Sequence, residues 1–298
     1  MSVQKFINYI QYEKRYSLHT VDAYKRDISQ FFEYLQLNYH ISDTENVQIT
    51  HQIIRSWLSL LIEKDINTRS VNRKISTLKS YFKFLLKESE ILINPMQKVI
   101  SPKMSKKITP YVEEENLIEM LDEEETKTGF SENRNYLIME ILYETGIRLS
   151  ELINLKIQDI DIHNLTIKVL GKRNKERIIP ITKILKDKIN QYLEYKENEI
   201  VKNEEKENYL FLTKKGKKVY PNFVYRIVFY YLSKITTNKK KSPHVLRHTF
   251  ATHMLNHGAD LNAIKEILGH TSLNATQVYS HSSLKKLKTV YKQAHPRA

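Results

Sequence analysis

Apolar positions in the first hundred residues recur only with a helical period. Val3, Phe6, Ile7 and Ile10 return at three- and four-residue spacing, which predicts a helix over 3–12. Thr20 precedes a second run, Val21, Tyr24, Ile28, Phe31, Phe32 and Leu35. Thr50 is placed to cap a third, with Ile53, Ile54, Trp57, Leu58, Leu61 and Ile62. A fourth stripe, Val71, Ile75, Leu78, Phe82 and Leu85, predicts a helix over 68–87. Four amphipathic helices with short links predict a helical bundle over 1–100. Asn94-Pro95 ends it. The stretch 101–110, SPKMSKKITP, is rich in proline and lysine and reads as an exposed basic linker.

From 111 onward the pattern is mixed. Helices are expected over 132–145, 149–155, 183–197, 222–236, 244–257, 261–268 and 275–279, with a short basic one over 284–293. Alternation over 157–162, 166–170 and 177–181 predicts a small antiparallel sheet, with a turn over 171–175. Gly146, Gly258 and Gly269 fall where helix ends are expected. The charged stretch 198–208 reads as a loop. The fold class is therefore mainly α with a small antiparallel β-sheet: a helical bundle followed by a mixed α+β domain.

Composition narrows the function. The chain of 298 residues has no Cys, which excludes a disulfide scaffold, a thiolate nucleophile and Cys-type zinc or iron–sulfur sites. No stretch approaches a membrane span, and the start lacks the apolar core of a signal peptide. A soluble cytoplasmic protein without membrane contact is the expectation. The net charge of +14 suggests a polyanionic partner. However, lysine, isoleucine, asparagine and tyrosine are all abundant, as AT-rich coding would produce, so charge alone does not decide. The basic residues comprise 36 Lys and only 12 Arg, so the position of an arginine carries more information. Arg69, Arg73 and Lys74 cluster at the start of the fourth helix, either as a phosphate-facing edge or as a solvated face.

Six of the 11 histidines lie between His244 and His281. The pairs His244/His248 and His253/His257 each share a helix face, which permits a metal site. No HExxH pattern accompanies them, and no acidic residue stands between them to activate water. Arg247 lies one turn after His244 and borders the apolar stripe of Leu246, Phe250 and Met254. An arginine there needs an anion, either a structural carboxylate or a bound phosphate. Arg148 poses the same choice, with Glu151 nearby.

Four segments then stand in order: GIRLSEL from Gly146, PHVLRHTFATH from Pro243, LGHTSLNATQVY ending at Tyr279, and, between the first two, LGKRNKER ending at Arg177. Together they resemble the sequence boxes and the lysine-bearing β-hairpin of the tyrosine recombinases, the lambda-integrase family. The resemblance covers nearly the whole chain, and its length and layout are closest to the Xer branch. It implies a DNA-binding core-binding domain over 1–100, a linker over 101–110 and a catalytic domain over 111–298 with a C-terminal docking helix.

By the same resemblance, Arg148 and Arg247 clamp the scissile phosphate, and His270 adds a donor. Tyr279 is the nucleophile, His244 accepts or relays its proton, and Lys172 protonates the departing 5′-oxygen. Arg173 stands where relatives often have glycine, which leaves Lys172 and Lys175 as alternatives for the general acid. His248 and Glu151 are supporting residues. The chemistry suits the residues. Only about one free tyrosine in a thousand is phenolate at pH 7, so the nucleophile needs convergent cations. A 3′-phosphotyrosyl bond keeps the phosphodiester's energy, so neither cofactor nor metal is called for.

The implied function is site-specific DNA recombination, in the Xer role of chromosome or plasmid dimer resolution. The implied partners are double-stranded DNA, a homo- or hetero-tetramer with itself or a second recombinase, and a septal DNA translocase. Alternatives are a phage or transposon integrase, a type IB topoisomerase and, from another class, a non-catalytic DNA-binding protein.

Overall fold

The computed structural model describes residues 2–40, 49–104, 110–122, 129–171, 175–199, 208–269 and 281–297. The chain divides into two units, Met1–Lys107 and Ile108–Ala298. In the first, α1 (Ser2–Asn8) runs into a π-helical turn over Tyr9–Glu13, so the helix expected over 3–12 changes its winding partway. Helix α2 (Leu18–Tyr39) starts earlier than its apolar stripe suggests. Ser17 is the N-cap, and its side chain accepts from Thr20 N at 3.4 Å. Thr50 caps α3 (His51–Glu63), and Asn67 caps α4 (Thr68–Lys87), accepting from Arg69 N at 2.9 Å. The apolar faces of these helices meet in a core built on Phe6, Ile28, Phe31, Trp57, Ile75 and Phe82.

The second unit opens with α5 (Glu114–Asp122), which the apolar pattern did not reveal. Helix α6 (Phe130–Thr145) is its centre, and every residue over 136–145 is buried. Its second half is apolar on nearly every side, as suits a core position. Glu140 and Glu144 are nevertheless on it. Glu140 is met by Lys188 at 2.7 Å and by Arg297 at 3.0 Å. Glu144 accepts from the Thr182 hydroxyl at 2.9 Å. Burial, and then the adjacent Glu140, push the Glu144 carboxyl up to about 8.

After α7 (Leu149–Asn154) come β1 (Ile160–Asp161), β2 (Thr166–Leu170) and β3 (Glu176–Pro180), an antiparallel sheet in that order. The strand expected over 157–162 shrinks to two residues because Ile157–Asp159 forms a 3-10 turn. Then follow α8 (Lys183–Glu199), α9 (Pro221–Ile235), α10 (Pro243–Asn256), α11 (Leu261–Leu268) and α12 (His281–Ala294). The helix expected over 275–279 lies outside the described residues, as does most of the 198–208 stretch.

In this single chain α12 packs on its own unit, against α10, α11 and β3, burying Leu287, Tyr291 and Ala294. Beyond it, Arg297 reaches Asp122 at 2.6 Å as well as Glu140, tying the chain end to the core helix.

Candidate active site

Gly146 ends α6 in the left-handed region, at φ +57. A Cβ there would lie 2.6 Å from a Phe250 ring carbon and 2.8 Å from a Leu268 methyl. Glycine thus serves twice: it turns the chain, and it lets α10 and α11 close on the end of α6. Two residues on, Arg148 is the N-cap of α7 in extended conformation. Glu151, at the third helical position, accepts from the Arg148 backbone N at 2.7 Å, half of a capping box. It also accepts from Arg148 Nη1 at 2.7 Å, which fixes the side chain.

Arg247 is carried by α10 and is almost fully buried. Its Nη1 donates to Gly146 O and its Nη2 to Leu268 O, each at 2.6 Å. Arg148 Nη2 donates to Gly269 O at 3.1 Å. A third arginine, Arg177 on β3, donates from Nε to Ile267 O at 2.6 Å. The carbonyls of three successive residues, 267 to 269, are therefore each held by a different guanidinium. These are the unpaired carbonyls of a helix end, where the backbone dipole favours cations. Gly269 closes α11 at φ +65, and Asp260 caps its start, accepting from Asn262 N at 2.9 Å.

Concentrating cations has a cost that the site manages. Burial, then the like charges of Arg148 and Arg177, lower the Arg247 guanidinium to about 10. Burial alone would raise the Glu151 carboxyl, but Arg177, followed by Arg148, holds it down at about 2. An arginine has five N–H donors, and two on each of Arg148 and Arg247 go to protein oxygens. The rest suit a tetrahedral anion.

His244 is exposed on the first turn of α10, one turn before Arg247, and His248 is half-buried one turn later. Two further histidines at the end of α10, His253 and the C-capping His257, are structural. Buried His253 meets the Tyr143 hydroxyl at Nδ1 and the Val112 carbonyl at Nε2, both at 3.0 Å. His257 pairs with Glu114 at 2.9 Å. Both rings are thus engaged by protein groups, and the described residues contain no cluster of metal-ligating side chains. Lys172, His270 and Tyr279 lie outside the described residues. Lys175 is exposed at the base of the hairpin turn, its carbonyl accepting from Gly171 N at 2.7 Å.

The three basic residues of α4 part company. Arg69 is exposed at the first turn. Arg73 is half-exposed and pairs with Asp27 of α2. Lys74 is buried, its ammonium given to Asp27 at 3.1 Å and to Gln30. It joins α2 to α4 rather than facing outward, because Asp27 is itself buried and needs a cation. Arg177 was missed by the sequence reading. Its signal was strand phase: it shares the inward face of β3 with Ile179, where an arginine must find an anion.

Comparison with known proteins gives this arrangement a family. The Phage integrase family matches residues 110–286, and the Phage integrase N-terminal SAM-like domain matches 3–89. A tyrosine recombinase XerC of Anoxybacillus flavithermus is 36% identical, over 98% of this chain and 97% of its own. A tyrosine recombinase XerD of Staphylococcus epidermidis is 35% identical, over 99% of both. Among solved structures, the XerH site-specific recombinase bound to a palindromic difH substrate in a post-cleavage complex shares the fold. Its TM-score is 0.72 at 24% identity, over 92% of this chain and 79% of that one. The Tn1549 transposon integrase shares it at 0.69 and 20% identity, over 96% of this chain and 98% of that one. With two arginines held at the end of α11 and near-full-length likeness to these relatives, the chain belongs to the phage integrase family, as an Xer-type tyrosine recombinase acting in site-specific recombination.

Proposed function

We propose that Arg148 and Arg247 bind the non-bridging oxygens of a scissile DNA phosphate, and that Tyr279 attacks its phosphorus. The observation that carries this reading is the convergence of both guanidinium groups on the last carbonyls of α11, directly before His270 in the chain. The Tyr279 oxygen bonds to phosphorus as the bond to the 5′-oxygen breaks. The phenol proton passes to His244, an imidazole carried on α10 one turn before Arg247. Lys172, with Lys175 as the alternative, returns a proton to the 5′-oxygen. The product is a 3′-phosphotyrosyl bond and a 5′-hydroxyl. Attack by another strand's 5′-hydroxyl reverses every step and exchanges the strands. Charge gathering on the pentavalent phosphate is met by Arg148, Arg247 and His270.

The same reading gives the chain double-stranded DNA at a specific site as substrate, a cytoplasmic location and a tetrameric assembly on two sites. Dimer resolution, with a second recombinase or a septal DNA translocase as partner, is its cellular role. In that assembly α12 docks on a neighbouring subunit. Exposed Arg69 and half-exposed Arg73 address DNA phosphates in the first unit, while buried Lys74 shares Asp27 with Arg73.

The test is cleavage by Arg247→Ala. Loss of one preorganised donor lowers rate about 10²–10³-fold. We expect that loss in single-turnover cleavage, with binding to the same DNA retained. Cleavage at the unaltered rate would overturn the assignment of Arg247 to the phosphate.

A further inference from the structure

Arg177 has no part in the reaction proposed above, yet it bonds two separate parts of the site, α7 and the end of α11. Its side chain is 5% exposed. Nη1 donates to Glu151 Oε1 at 3.0 Å, Nη2 to Glu151 Oε2 at 2.8 Å, and Nε to Ile267 O at 2.6 Å. Two glycines flank it. A Cβ on Gly269 would stand 3.2 Å from Arg177 Cδ and Nη1, and one on Gly171 would stand 3.6 Å from Nη1. Gly171 directly precedes Lys172, and Gly269 directly precedes His270. One side chain thus links the α7 turn that bears Arg148, the hairpin that leads to Lys172, and the helix end that leads to His270.

The Glu151 carboxylate receives four N–H donors. Two come from Arg148, through its backbone N and Nη1, and two from the planar fork of Arg177. Three guanidinium groups and one carboxylate leave a net charge of two positive among these residues. A pentavalent phosphate in strand cleavage carries about two negative charges, against one in the resting diester. If the Arg177 charge were absent, Glu151 would have Arg148 as its sole guanidinium partner, and the net charge would halve.

We propose that Arg177 is a positioning residue for strand cleavage. It acts as the counter-ion of Glu151 and so leaves the charge of Arg148 for the scissile phosphate. This rests on the reading of Arg148 as a phosphate clamp. Arg177 holds Glu151 in place as an orienting group for Arg148, while its own charge cancels the carboxylate that orientation requires. The geometry of its fork, which a lysine lacks, lets one residue serve both ends.

A charge-rescue cycle tests it. Single-turnover formation of the covalent adduct on a nicked suicide DNA, at saturating protein, is measured for the unaltered chain, Arg177→Met, Glu151→Gln and the double variant. Groups that orient the ligands of a metal centre are worth about 10–100-fold in activity, and Arg177 stands in a comparable relation to Arg148 through Glu151. We expect a loss of that size for Arg177→Met, with DNA binding retained, and recovery of most of it in the double variant. A purely structural brace gives no such recovery. A double variant as slow as Arg177→Met, or Arg177→Met at the unaltered rate, overturns the proposal. If Arg177→Met has no cooperative melting transition, Arg177→Gln carries the same cycle with the same two outcomes. Failure of the unaltered chain to form any adduct would overturn the phosphate-clamp reading itself, and this proposal with it.

Discussion

At the scale of single residues, the molecule separates charges that act from charges that hold. Glu140 and Glu144 sit one turn apart on α6, both without exposure. Lys188 and Arg297 meet Glu140, whereas Glu144 has a hydroxyl partner and an Arg297 nitrogen only at 3.7 Å. The Glu144 carboxyl, raised to about 8, keeps a proton that the unfolded chain loses near its ordinary value of 4.5. The folded state therefore binds more protons between these values, and this group's contribution to stability falls as pH rises from about 4.5 through about 8. Glu144→Gln mimics the protonated form. Thermal melting should show parent and variant alike near pH 5, with the variant the more stable above pH 8. A parent more stable than the variant at pH 8.5 would refute the protonated assignment.

The same scale shows what the sequence could and could not disclose. Arg148 and Arg247 stood out because arginine is scarce here and both border apolar stripes or glycine turns. Lys74 misled because a run of basic residues does not reveal a buried acid on another helix. His253 and His257 share a helix face, as their spacing requires, but their partners Val112, Tyr143 and Glu114 come from distant sequence.

At the scale of elements, strongly amphipathic helices were legible, and α4 and α11 occupy the spans their stripes predict. Helix α5 was hidden because its few apolar positions are embedded in a run of acidic residues. The first strand was overextended because alternation over a few residues also fits a 3-10 turn. Gly146 joins three helices at one point, and Gly146→Ala tests that junction. A left-handed alanine costs about 1–2 kcal/mol. Contacts as close as 2.6 and 2.8 Å add overpacking, typically about 1–3 kcal/mol. Chemical denaturation should show a loss of about 2–5 kcal/mol on those terms. An unchanged midpoint would mean that α10 and α11 do not close there.

At the scale of the whole molecule, the chain divides into a helical unit and a mixed unit, each with its own core. Among the described residues no helix is long and apolar enough to cross a membrane. The charge of +14 was an ambiguous guide, since part of it, Lys74 among it, is spent inside the protein. More telling is where three of the 12 arginines converge, at one helix end with a single carboxylate. The central claim is that this cluster activates a phosphate toward a tyrosine, and one measurement tests it most directly. The chain is incubated in EDTA with a nicked suicide DNA carrying its recombination site, and covalent protein–DNA adducts are resolved under denaturing conditions. An adduct formed by the unaltered chain and abolished in Tyr279→Phe, with DNA binding kept, is the result this account predicts. An adduct that survives Tyr279→Phe, or that requires a divalent metal, would contradict it.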